Sequence, residues 1–173
     1  MDLGLQGRTA IVAAASQGLG KACALELARE GASVVICARD ADKLAATADE
    51  IHTTTGAKVT WLAIDLTDPV HIRHLADEAL RRYGRIDILV TNAGGPPAGY
   101  FDDLGDDAWL AAYQLTLMSA VRLIRAVLPA MRLQQWGRIV NITTLRPIGP
   151  EPRIPMCFPF MGTDCFTAYT PIA

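Results

Sequence analysis

Three observations predict an α/β chain with a doubly wound parallel sheet. Five short Val- and Ile-rich runs are bounded by turn residues, four amphipathic stretches alternate with them, and a turn containing two glycines joins the first run to the first amphipathic stretch. Parallel strands covered by helices on both faces read as continuous apolar runs rather than alternating ones. At 173 residues the chain suits one domain of ordinary core size.

The strands are expected at residues 9–15, 33–38, 59–64, 86–91 and 138–142, and the helices at 18–30, 40–54, 68–84 and 106–132. The second helix shows the pattern plainly: Leu44, Ala48 and Ile51 recur at helical spacing, and Asp40 stands where a side chain caps the first turn. Right-handed crossovers then give a sheet of order 3-2-1-4-5. Ligands of such sheets bind beyond the carboxyl ends of the strands.

The pattern stops after Thr144. Residues 145–173 hold six of the ten prolines and three of the four phenylalanines, without periodic hydrophobicity. Prolines at 147, 150, 152, 155 and 159 forbid a continuous helix and remove donors from any central strand. The expected division is a nucleotide-binding domain over 1–144 and an irregular Pro- and Phe-rich tail over 145–173.

Composition excludes several partner classes. A net charge of -2 gives no basic excess to draw the chain to nucleic acid or an anionic membrane. The N-terminal residues lack the charged start, apolar stretch and cleavage site of a signal peptide. Arg122 and Arg125 interrupt the longest apolar run, at 115–131, short of the roughly 20 residues a bilayer span needs. A soluble, cytoplasmic protein is expected. Cys23, Cys37, Cys157 and Cys165 show no metal or redox spacing, and the first two fall inside a helix and a strand as small apolar residues. His71 and His74 share a helix face, yet no third ligand accompanies them, so a surface pair is expected and no metal.

The first strand leads through Ala14, Ala15, Ser16, Gln17, Gly18, Leu19 and Gly20 into a helix. Such a turn lets backbone N–H groups approach a pyrophosphate on the positive end of the helix, although a plain strand-to-helix turn has the same look. Arg39 ends the second strand where the adenosine ribose of a dinucleotide would lie. Its planar fork of donors suits a 2′-phosphate, whereas an acidic residue would suit the 2′-hydroxyl, so NADP is favoured over NAD. The same Arg39 disfavours S-adenosylmethionine, whose enzymes share the architecture.

These segments resemble the short-chain dehydrogenases/reductases. Residues 13–20 resemble the family's T-G-x-x-x-G-x-G turn, residues 91–94 (TNAG) its N-N-A-G, and residues 137–144 (GRIVNITT) its strand into the catalytic serine. The resemblance spans residues 5–144 and implies a Rossmann-type sheet. It implies that Ala14, Ser16, Gln17, Gly18, Leu19 and Gly20 surround the phosphates, that Arg39 meets the ribose and Asp65 the adenine, and that Asn92, Ala93 and Gly94 line the cofactor. Ala13, Ala14 and Thr91 depart from the motifs. A Cβ at position 14 would crowd a close contact or disfavour a positive φ.

By the same resemblance, the reaction is hydride transfer between NADP(H) and a carbonyl or alcohol, 3-oxoacyl reduction included. The family's tyrosine exchanges the proton, and a lysine four residues later favours the phenolate. Here the serine position falls on Thr144 and the relay asparagine on Thr116, which loses the amide's paired donor and acceptor. The tyrosine and lysine positions fall on Cys157 and Met161, and no lysine follows Lys58. The expectation is a C-terminally truncated or altered relative, lacking the usual later strands and helices and with low or no turnover. A non-catalytic module that pairs with a full-length relative is the alternative. The apolar 106–132 helix, which in the family commonly meets a partner subunit, points to a homo-oligomer.

Overall fold

The structure, a computed structural model, describes residues 3–95 and 101–143. Five parallel strands form one sheet: β1 (Thr9–Val12), β2 (Ser33–Ala38), β3 (Val59–Ala63), β4 (Ile88–Thr91) and β5 (Arg138–Asn141), in the order β3-β2-β1-β4-β5. The predicted sheet order is thus observed. β2 has its expected bounds, while the other four are shorter than expected by one to three residues, because the ends of the apolar runs leave the ladder for the connecting turns.

Helix α1 (Gly18–Arg29) follows β1, α2 (Ala41–Thr55) follows β2 and α3 (Pro69–Tyr83) follows β3. Asp40 caps α2 by accepting from the Lys43 N–H at 3.1 Å, and Asp68 caps α3 by accepting from the Val70 N–H at 2.7 Å. Pro69 occupies the first turn of α3, where its missing N–H has no helical partner to lose.

Alternate side chains of the strands feed two cores, one on each sheet face. On one face Ile11, Val35, Cys37 and Leu89 pack beneath α3 and the last long helix, meeting Ile72, Leu75, Leu123, Val127 and Met131. On the other, Ala10, Val12, Val34, Ile36, Ile88 and Val90 meet α1 and α2 through Ala24, Ala28, Leu44, Ala48 and Ile51. Such burial, at roughly 25 cal/mol per Å² of apolar surface, drives the layers together.

The single long helix expected over 106–132 has three parts. α4 (Asp106–Tyr113) passes through a π-helical segment (Gln114–Met118) into α5 (Ser119–Leu133). The Thr116 hydroxyl donates to the Ala112 carbonyl at 2.7 Å and the Ser119 hydroxyl to the Leu115 carbonyl at 2.5 Å. These bonds supply partners for carbonyls around the widened turn, where side chains commonly compete with the backbone ladder. Along this stretch Leu123 and Val127 are buried, while Leu110 is 60% and Leu117 38% exposed.

One expectation is corrected here. Among the described residues the stretch Asp106–Leu133 is long and apolar enough, by length and composition alone, to cross a membrane. Its apolar character starts at Trp109, well before the run at 115–131. Leu123, Val127 and Met131 are nevertheless committed to the sheet, which makes this stripe part of the core.

At the amino end of the sheet, Asp87 is fully buried and fully paired. It accepts from the Thr9 N–H at 2.9 Å, from Arg8 at 3.1 Å and from Arg85 at 2.7 and 2.6 Å. Arg8 and Arg138 stack on the Trp136 ring at 4.0 and 4.8 Å, which ties the start of β1 to the start of β5.

Candidate functional site

The carboxyl ends of β1, β2, β3 and β4 gather most of the residues singled out in the sequence. β1 ends at Val12, and Ala14 takes φ +48°. That is the left-handed region, in which a Cβ is crowded. Of the two ways the Ala14 Cβ could intrude, backbone strain is therefore the one present. Below the turn, burial pushes the Cys37 thiol up to about 12, against a smaller opposing pull from the Ala14 backbone N–H. The thiol is thus an unreactive floor to the turn.

Gly20 explains why the motif needs its last glycine. A Cβ there would press into the Ala14 carbonyl oxygen and lie 2.9 Å from Asn92 Nδ2. Asn92 itself donates from Nδ2 to the same Ala14 oxygen at 3.2 Å, joining the end of β4 to the glycine turn. Gly18 takes φ +60° with open space where its side chain would stand. A glycine carries that backbone without strain.

Helix α1 begins at this turn with no acidic residue in its first turn and no side-chain cap from Gln17. α2 and α3 both carry an aspartate cap, so of the three helices following β1, β2 and β3 only α1 starts without a side-chain cap and without an acidic cap at its positive end. This geometry fits the pyrophosphate of a dinucleotide. Ser16 is held from behind, since the buried Thr47 of α2 donates from its hydroxyl to the Ser16 carbonyl at 2.9 Å. Thr47 was not foreseen. A threonine on the apolar face of an otherwise Leu- and Ala-lined helix was the available signal.

Arg39 is exposed just past the end of β2, and Asp65 lies past the end of β3, two strands that pair in register. The Asp65 carboxylate accepts from the Thr67 N–H at 2.8 Å and its hydroxyl at 2.9 Å. The Thr67 N–H above all holds this carboxyl below the usual range, with smaller help from the Thr67 hydroxyl and the Arg39 charge, against partial burial. The Asp65 N–H donates to His71 Nδ1 at 3.2 Å. His71 thus serves the loop, while His74 is exposed on the same helix, and the described residues contain no group of three or more metal-ligating side chains.

Ala93 and Gly94 follow Asn92 beyond β4, Ala93 half-buried and Gly94 exposed. Leu19 is exposed at the start of α1. In place of the first motif asparagine, the Thr91 hydroxyl donates to Asn141 Oδ1 at 2.7 Å, so that β4 and β5 are fastened next to the position where the chain continues toward Thr144. Thr116 sits in the π-helical segment with its hydroxyl turned to its own backbone. Thr144, Cys157, Cys165 and Met161 lie outside the described residues, as does the whole tail.

Residues 8–154 match the family described as short chain dehydrogenase. An uncharacterised oxidoreductase of Bacillus subtilis, YvaG, is 39% identical over 87% of this chain and 56% of its own length. The 7alpha-hydroxysteroid dehydrogenase of Escherichia coli is 36% identical over 83% of this chain and 56% of its own length. Among solved structures, L-sorbose reductase of Gluconobacter frateurii, in complex with NADPH and L-sorbose, superposes with a TM-score of 0.78 at 33% identity. That match covers 82% of this chain and 54% of the reductase. The chain spans about half to three-fifths of the length of the relatives it matches.

Proposed function

The chain belongs to the short-chain dehydrogenase family, and on that premise we propose that it is an NADP(H)-linked oxidoreductase chain whose own turnover is low. The observation that carries the reading is the turn at Ala14 to Gly20, closed by Asn92 on one side and opening onto the uncapped start of α1 on the other. Ser16, Gln17, Gly18, Leu19 and Gly20 would hold the pyrophosphate. Arg39 would pair with the 2′-phosphate and Asp65 face the adenine, while Ala14, Asn92, Ala93 and Gly94 would line the path to the nicotinamide. NADP is the reading rather than NAD because Arg39, and no carboxylate, is the first residue after β2.

When bound, the nicotinamide supplies a hydride to a carbonyl carbon or accepts one from an alcohol carbon. A ketone or 3-oxoacyl group is the proposed substrate class. The chain must then move one proton to or from the substrate oxygen, and its residues serve that step poorly. Thr144 can donate a hydrogen bond to the oxygen, but Cys157 and Met161 stand where the resemblance expects the phenol and the ammonium. Thr116 spends its hydroxyl on the Ala112 carbonyl. General acid–base help is worth about 10²- to 10⁴-fold in such reactions, and turnover should fall short of an ordinary kcat of about 10 s⁻¹ by at least that factor. The check is the rate at which the purified chain oxidises NADPH with a panel of ketones and 3-oxoacyl thioesters. An ordinary rate with any of them would sink the proposal.

A second reading is favoured by the surface of α5. Val121, Ile124, Arg125, Leu128, Pro129 and Arg132 line an open groove there, and Leu110 and Leu117 lie exposed before it. In this reading the chain is a cytoplasmic nucleotide-binding or interaction module, with residues 1–144 as its folded domain and 145–173 as its tail. It would associate through the 106–132 helix with itself or with a full-length relative. Sedimentation velocity should then show a dimer or larger species, or a mixed one with the relative; a monomer in both experiments removes this reading.

A further inference from the structure

Arg122, in the first turn of α5, bonds in two directions. Its Nη1 donates to the Thr67 carbonyl at 3.0 Å and its Nη2 to Gln114 Oε1 at 2.7 Å. The two acceptors belong to segments far apart in sequence. Thr67 lies in the turn after β3 that Asp65 organises, and Gln114 opens the π-helical segment that carries Thr116.

Each end of this strut is otherwise held from within. The turn after β3 is closed by the two bonds from Thr67 to Asp65 and by the Asp65 N–H to His71. The π-helical segment is closed by the Thr116 and Ser119 hydroxyls on their own backbone. Beneath both, α3 and α5 pack through Ile72, Leu75, Leu123 and Val127, which sets the distance between the helices but not the position of the loop at their end. A guanidinium is suited to that task, because its planar fork fixes two acceptors in one geometry at little added entropy cost. A single exposed hydrogen bond would be weak, whereas a fork that reaches two ordered segments links their fluctuations.

We infer that Arg122 is a positioning residue that couples the adenine-side loop at 65–68 to the π-helical segment carrying Thr116. The inference rests on the nucleotide reading above. Adenosine held beside Asp65 would order the loop, and the Thr67 carbonyl would pass that order through Arg122 to Gln114. The adenosine half of a dinucleotide would then steady the helix beside the reacting half, although it does not reach it.

Hydrogen–deuterium exchange on the full 173-residue chain tests this, with adenosine 2′,5′-bisphosphate as the probe and Arg122→Met as the variant. In the unaltered chain, saturating probe should slow exchange at 65–68 and at 114–119 by about threefold or more. In Arg122→Met the probe should still bind and still protect 65–68, and the protection at 114–119 should be lost. Equal protection of 114–119 in the variant overturns the inference, as does protection of 65–68 alone in the unaltered chain. A ligand-free comparison keeps the two readings apart. If the probe fails to bind the unaltered chain, the nucleotide reading falls. The strut then stands only if Arg122→Met exchanges faster at both segments, and unchanged exchange at either overturns it.

Discussion

Ala14 carries the largest local cost in the site. A non-glycine residue at φ +48° gives up about 1 to 2 kcal/mol relative to glycine in the same geometry. Its neighbours hold it there: the Ala13 N–H is bonded to the Val90 carbonyl, the Ala15 N–H to the Cys37 carbonyl, and the Ala14 carbonyl receives Asn92 Nδ2. Ala14→Gly should therefore raise the stability of the chain by about 0.5 to 1 kcal/mol, once the greater freedom of glycine in the unfolded chain is subtracted. Urea unfolding monitored by circular dichroism checks this, and an unchanged or lower midpoint would show that the turn is not strained. Gly20 illustrates the opposite constraint, since it is fixed by a close approach and not by its φ.

At the scale of elements, the turn after β3 depends on one carboxylate. Asp65 has a lowered pKa in the folded chain, so its contribution to the turn is complete above the unfolded value of about 3.9 and disappears as pH falls through the lower folded value. The Thr67 amide resonance should accordingly titrate with a midpoint below about 3.9. A midpoint at or above the ordinary carboxylate value would mean that the Asp65 bonds do not form. This loop also marks where sequence reading loses resolution. Asp65 was singled out through the family resemblance, but its bonds to Thr67 and the support from His71 depend on backbone geometry that no spacing encodes. β2 and the Asp40 cap of α2 were legible because buried apolar runs and caps are local signals. The division of the long helix at Gln114–Met118 was not, since Thr116 and Ser119 bond backward only once the helix exists. Arg122 was visible solely as an interruption of an apolar run, whereas its partners Thr67 and Gln114 meet only through the packing of α3 on α5.

Taken as a whole, the described molecule has the candidate site at one end of the sheet and the buried Asp87 cluster at the other. Asp87, with Arg8, Arg85 and the Thr9 N–H, fastens the amino ends of β1 and β4, and the Trp136 stack adds β5. The carboxyl ends carry the strained turn at Ala14. The sheet order was predictable because it follows from the alternation of strands and helices rather than from any single residue. The central claim is that the turn at Ala14 to Gly20 and Arg39 together form a site for a 2′-phosphorylated dinucleotide. Calorimetric titration of the 173-residue chain with NADPH and with NADH tests it most directly. Binding of NADPH about tenfold or more tighter than NADH, a difference of about 1.4 kcal/mol that disappears in Arg39→Ala, is the predicted result. Failure of both dinucleotides to bind, or equal affinities in the unaltered chain, would contradict it.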